Sequence, residues 1–161
     1  MMKSKLQSIN TTNSMAANKK ENKLAMWVCF LAYLSLLGYA VFFSSFFGRE
    51  GQTEYRYNLT LLQEIGRFYG VGTRTGEWRL FLINVVGNVF VFVPFGWFLP
   101  ALFKKCRKWF SVLLFSLELS LVVEIVQLIT KVGCFDVDDL LLNTIGGFLG
   151  YLIYKITKAR A

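Results

Sequence analysis

Eight polar side chains recur at short intervals beside or within apolar runs: Asn84, Asn88, Glu124, Gln127, Asp136, Asp138, Asp139 and Asn143. Asn84 and Asn88 are four residues apart, as are Asp139 and Asn143, while Glu124 and Gln127 are three apart. Each pair therefore shares one face of a helix. A carboxylate within hydrocarbon costs about 2.5–3.5 kcal/mol or more, so Glu124 calls for a reason. It either belongs to a functional polar site or stays protonated and bonds between helices. Glu118, six residues earlier, lies about 120° away around the axis and need not share that face. For Glu118 interhelical bonding and a functional role both stand open. The acids Asp136, Asp138 and Asp139 either bind a divalent cation through oxygen, stay solvated, or cap a helix whose N-terminus favours negative charge.

Other chemistries find no support. Histidine is absent, which removes the commonest general base and metal ligand. There is no phosphate loop, dinucleotide fingerprint or zinc-type cluster, so no cofactor, metal or catalytic residue is assigned. Cys29, Cys106 and Cys134 fall in an apolar run, a basic linker and beside an acidic one, and read as free thiols. The aromatic run Phe90, Phe92, Phe95, Trp97 and Phe98 reads as lipid-facing and interfacial.

These residues must be positioned by helices in a bilayer. Of 161 residues 55% are hydrophobic and only 17% charged, with the charges gathered in short blocks. That defines an all-α polytopic membrane bundle with about four transmembrane helices. The expected spans are 24–47, 80–103, 109–130 and 140–154, within a membrane domain covering 24–156. Pro94 is expected to kink or divide the second. Residues 1–23 read as a disordered basic tail and 157–161 as a short tail. Residues 58–69 suit a short surface helix, broken by Gly70, Gly72 and Gly76.

The net charge of +8 is read as topogenic, which leaves membrane lipid and no nucleic acid as the expected partner. The N-terminal tail, the 104–108 turn and the C-terminal tail hold 5, 4 and 3 of the Lys and Arg residues. The intervening 48–79 and 131–139 segments hold 5 and 1 across more chain. Both termini are therefore expected in the cytoplasm of a multi-pass cell-membrane protein. Asn84, Asn88, Glu124, Gln127, Asp136, Asp139 and Asn143 then gather at one depth in the outer half, as a polar pocket open outward. Gly146, Gly147 and Gly150 follow on the face of Asp139 and Asn143 and allow close helix contact. Across that contact Asn143 is expected to bond Asn88 or Gln127.

The motifs from Asn84 through Pro94 to Gly96, Glu124-Ile-Val-Gln127, and Gly133 through Asp136, Asp138, Asp139 and Asn143 to Gly147 resemble the VanZ-like family of bacterial membrane proteins. The likeness keeps order and spacing from about Asn58 to Tyr154. The family's usual Asn-Leu-x-Pro-Phe element departs here to Asn58-Leu59-Thr60-Leu61-Leu62. The resemblance implies low-level resistance, in Gram-positive bacteria, to teicoplanin, a lipid-tailed glycopeptide that binds cell-wall precursors ending in D-Ala-D-Ala. The partner expected on that basis is the drug or a lipid-linked precursor, and the action is protective rather than catalytic. The alternative is a membrane enzyme modifying a lipid-linked envelope precursor.

Overall fold

A computed structural model describes residues 21–40 and 54–160. The tail at 1–20 and the end of the expected first span, 41–47, lie outside the described residues. Four helices are long and apolar enough to cross a membrane: α1 (Glu21–Ala40), α3 (Arg79–Leu102), α4 (Trp109–Thr130) and α5 (Val137–Ala159). A shorter helix, α2 (Gln63–Thr75), precedes the second span. The chain is thus an all-α, multi-pass membrane bundle.

The expected fourth span is too short. Asp138 and Asp139 form the first turn of α5, and the helix continues past Tyr154 through Lys155 and Lys158. Acids in the first turn and a cation in the last suit the helix dipole. Gly70 and Gly72 do not break α2. The helix runs through both and ends at Gly76, whose positive φ of 77° few other residues adopt. Pro94 does not divide the second span: the helix continues through Pro94 and Pro100. The irregularity in α3 lies earlier, at the π-helical segment Leu82–Val86, where the Gly87 N–H donates to the Leu82 carbonyl.

The tightest packing is between α3 and α5. A Cβ on Gly146 or Gly150 would overlap the carbonyls of Val89 and Val93 on α3. A Cβ on Gly96 would overlap the Gly147 backbone, and one on Gly147 would overlap Ser116 Oγ of α4. Gly146, Gly147 and Gly150 all lie against neighbouring helices, and Gly96 meets the Gly147 backbone from the α3 side.

On the opposite face of α3, α1 packs through aromatic side chains. Phe30 stacks near Phe95 and Phe98, and the Tyr33 hydroxyl donates to the Val91 carbonyl at 2.9 Å. Phe92 and Phe95 are buried core residues, which corrects their assignment to lipid. Their positions turn them toward α1 and α5, whereas Phe90 stays exposed.

Two short strands have no counterpart in the sequence reading. β1 (Arg56–Asn58) pairs in parallel with β2 (Cys134–Asp136), with Asn58 opposite Asp136. They tie the segment before α2 to the connection between α4 and α5.

Candidate functional site

The acids on this end of the bundle bond to backbone, one after another. Glu124 is 1% exposed, and its Oε2 accepts the Asp136 N–H at 2.9 Å. That bond anchors β2 to the end of α4. Asp136 Oδ1 accepts the Asp138 N–H at 2.8 Å, capping α5. The same oxygen accepts from Asn58 Nδ2 at 3.0 Å, across the strand pair. Asn58 Oδ1 in turn accepts the Thr60 N–H at 3.1 Å, turning the chain toward α2.

Asp138, 1% exposed, reaches back to the start of α2. Its Oδ1 accepts the Leu62 N–H, and its Oδ2 accepts the N–H groups of Glu64 at 2.9 Å and Ile65 at 3.2 Å. Leu62 has φ 65°, an unfavourable conformation for leucine, and its own side chain makes no cap. A carboxylate from a helix 76 residues further along the chain thus satisfies the orphan N–H groups of α2. The carboxyl of Asp136 lies above its ordinary range, chiefly because it is buried. The bonds from Asp138 N–H and Asn58 pull the other way, and the charges of Asp138 and Glu64 add to the rise. Burial also pushes the neighbouring Cys134 thiol up, with Asp136 adding to the effect.

The expected set divides accordingly. Glu124, Asp136, Asp139, Asn88 and Asn143 enter bonds between elements. Asn88 Nδ2 donates to Asp139 Oδ1, joining α3 to α5. Asn143 Nδ2 donates to Ser120 Oγ of α4 at 2.9 Å, which replaces the expected bond to Asn88 or Gln127. Gln127 is 2% exposed and packs beneath Gly133. Asn84 stays local: in the π segment, its Nδ2 donates to the Leu80 carbonyl of its own helix at 2.9 Å. Glu118 lies exposed on the outer surface of the bundle, so it does not bond between the helices of one chain.

Asn58, Ser116 and Ser120 lie with this set and were not among the expected site residues, while Asp138, read as a cation ligand, a solvated acid or a helix cap, caps α2. Ser116, Ser120, Glu124 and Gln127 follow one another at helical intervals along α4, and all four are buried. That polar stripe was readable in the sequence. Asn58 acts through the strand pairing, for which three-residue segments carry no periodicity, and Asp138 through a cap on a helix distant in sequence.

Around this polar centre large apolar side chains are exposed, interspersed with the polar Glu54, Arg56, Gln63 and Arg67. Tyr55, Tyr57, Leu59, Leu61, Leu62 and Tyr69 are all more than half exposed. The arrangement can hold α2 and the 54–62 segment in place against the ends of α4 and α5. It exposes ring and alkyl surface beside backbone-bound carboxylates.

Fold and site define a multi-pass membrane protein whose loops at one end are clasped by buried acids. The VanZ/LLP1 family model matches residues 30–158, and the chain belongs to that family. It is 39% identical over 86 residues to Protein VanZ of Enterococcus faecium, an alignment covering 53% of this chain and 50% of the relative. The chain thus spans about half the length of the curated relative it matches. No solved structure matches.

Proposed function

We propose that this protein confers low-level resistance to teicoplanin-type glycopeptides without catalysis, by hindering drug binding at the outer membrane surface. Membership of the VanZ/LLP1 family supports the resistance class. The observation that carries the mode of action is the clasped cap, in which Asp136, Asp138 and Glu124 hold α2 and its flanking segment against the bundle. Its exposed tyrosines and leucines suit the headgroup boundary, where an acyl-tailed drug or a lipid-linked precursor resides. Each of these three carboxylates accepts a backbone N–H, a positioning role that favours binding over acid–base turnover.

The basic end, with Lys104, Lys105, Arg107, Lys108, Lys155 and Lys158, faces the cytoplasm on this reading, and the cap faces outward. The test is susceptibility of a sensitive Gram-positive host with and without the gene. The expected result is protection against teicoplanin and little against vancomycin, which lacks the acyl tail. Equal protection against both drugs counts against a membrane-surface mode. A changed set of lipid-linked precursors by mass spectrometry replaces it with enzymatic modification.

A further inference from the structure

At the end of the bundle opposite the clasped cap, an open cleft of about 350 Å³ lies between α1, α3, α5 and the turn that joins α3 to α4. Met26, Trp97 and Tyr154 supply its apolar walls, and Arg107, Thr157 and Lys158 its polar groups. The walls are well fixed. Trp97 Nε1 donates to Thr157 Oγ1 at 3.4 Å, and Thr157 Oγ1 donates to the Tyr154 carbonyl at 2.9 Å. The Tyr151 hydroxyl donates to the Arg107 carbonyl at 3.3 Å, pinning the turn while leaving the guanidinium exposed.

Among the described residues, neither Arg107 nor Lys158 enters an ion pair and no carboxylate lines the cleft. The acid nearest in sequence, Glu21, lines a separate hollow beside Lys23, Leu24 and Trp27. Two cations lining one apolar cleft, near a helix end where a Trp indole sits, match the phosphate and glycerol of one lipid. We propose that this cleft is a binding site for the headgroup of an anionic phospholipid. The phosphate lies between Arg107 and Lys158, and the glycerol and first acyl carbons rest on Met26 and Trp97. A free phosphate would satisfy the cations and leave the apolar walls unused. A zwitterionic headgroup would bring a third cation to a cleft with no carboxylate among its described lining residues.

The test uses the purified full-length protein in detergent, with bound lipid read by native mass spectrometry. The expected result is one retained phosphatidylglycerol per chain, in preference to phosphatidylcholine. Arg107→Gln with Lys158→Gln should weaken retention roughly thirtyfold, since each cation near a lipid surface contributes on the order of fivefold. Lys104→Gln with Lys105→Gln removes the same charge outside the cleft and should leave retention unchanged. The exchange Arg107→Lys with Lys158→Arg keeps both charges and should also retain lipid, which separates lost recognition from lost fold. Equal loss in the two Gln pairs, equal retention of phosphatidylcholine, or displacement of the lipid by millimolar inorganic phosphate would each overturn the proposal.

Discussion

The carboxylate of Asp138 receives the backbone N–H of Leu62, joining the first turn of α5 to the start of α2 across 76 residues of sequence. With the Glu64 and Ile65 N–H groups on the other oxygen, one side chain caps a helix to which it does not belong. Hydrogen bonds to a charged group contribute about 1.5–3 kcal/mol each. Asp138→Ala should therefore release α2 while the four spans remain. Amide hydrogen exchange at 62–65 is the measurement, with strong acceleration expected there and little in α4. Protection at those amides equal to the wild type's would show that Asp138 is not the cap.

Glu124→Gln keeps an oxygen that can accept the Asp136 N–H but removes the capacity to ionise. If the proposed site uses that charge, teicoplanin resistance should fall while abundance in the membrane stays normal. Glu118→Gln, on the exposed surface of the same helix, should change neither. Full resistance in the Glu124 variant at normal abundance would remove the charge from the mechanism and direct attention to Asp136 and Asp139.

Glycines separate cleanly by what lies opposite them. Gly146→Ala and Gly150→Ala push a methyl into α3 backbone, at a cost of about 1–3 kcal/mol or more. Gly38→Ala in α1 meets nothing within 4 Å and should stabilise by up to about 1 kcal/mol, the helix-propensity gain. Thermal melting in detergent should place both seam variants below the wild type and Gly38→Ala at or above it. A neutral Gly146→Ala would mean the α3–α5 seam is looser than described.

Acidity acts through Asp136. Its folded-state carboxyl holds a proton at pH values where the unfolded chain, at the ordinary 3.8, has released it. The resulting stabilisation is full below that value and is lost as pH rises through the raised folded value. Asp136→Asn retains an acceptor for Asp138 N–H and Asn58, so the cap should survive. Melting temperature followed from acid to neutral pH should fall less steeply in the variant. An unchanged slope would assign the acid dependence to another group.

Orientation is open to a direct check. An alkaline-phosphatase fusion after Gly76 should be active, and one within 104–106 inactive, if the cap faces outward. The reverse pattern would place the clasped acids in the cytoplasm and remove the surface mode of action.

The bundle was legible because crossing a bilayer leaves a coarse signature: long uncharged runs separated by charge blocks. Close packing at Gly146 and Gly150 was legible for a similar reason, since small residues one turn apart mark contact without naming the partner. What failed were pairings. Asn143 was matched to Asn88 or Gln127, yet its amide meets Ser120, because helical spacing fixes a face and not which neighbour that face meets. Asn84 looked equivalent to Asn88, but the π segment between Leu82 and Val86 interrupts the regular periodicity, and only Asn88 reaches α5. The β1–β2 pair was invisible. Three residues with no alternation carry no strand signal, and their partnership depends on where the spans have already placed their ends.

The β1–β2 pair also sets an order of events during synthesis. Asn58 emerges from the ribosome 78 residues before Asp136, the residue to which it bonds. Throughout that interval α2 has neither its strand neighbour nor the carboxylate that satisfies its first turn. The cap is therefore a latch that can close only once the first turn of α5 has been made. Chains interrupted before α5 would leave the first N–H groups of α2 without the carboxylate that receives them.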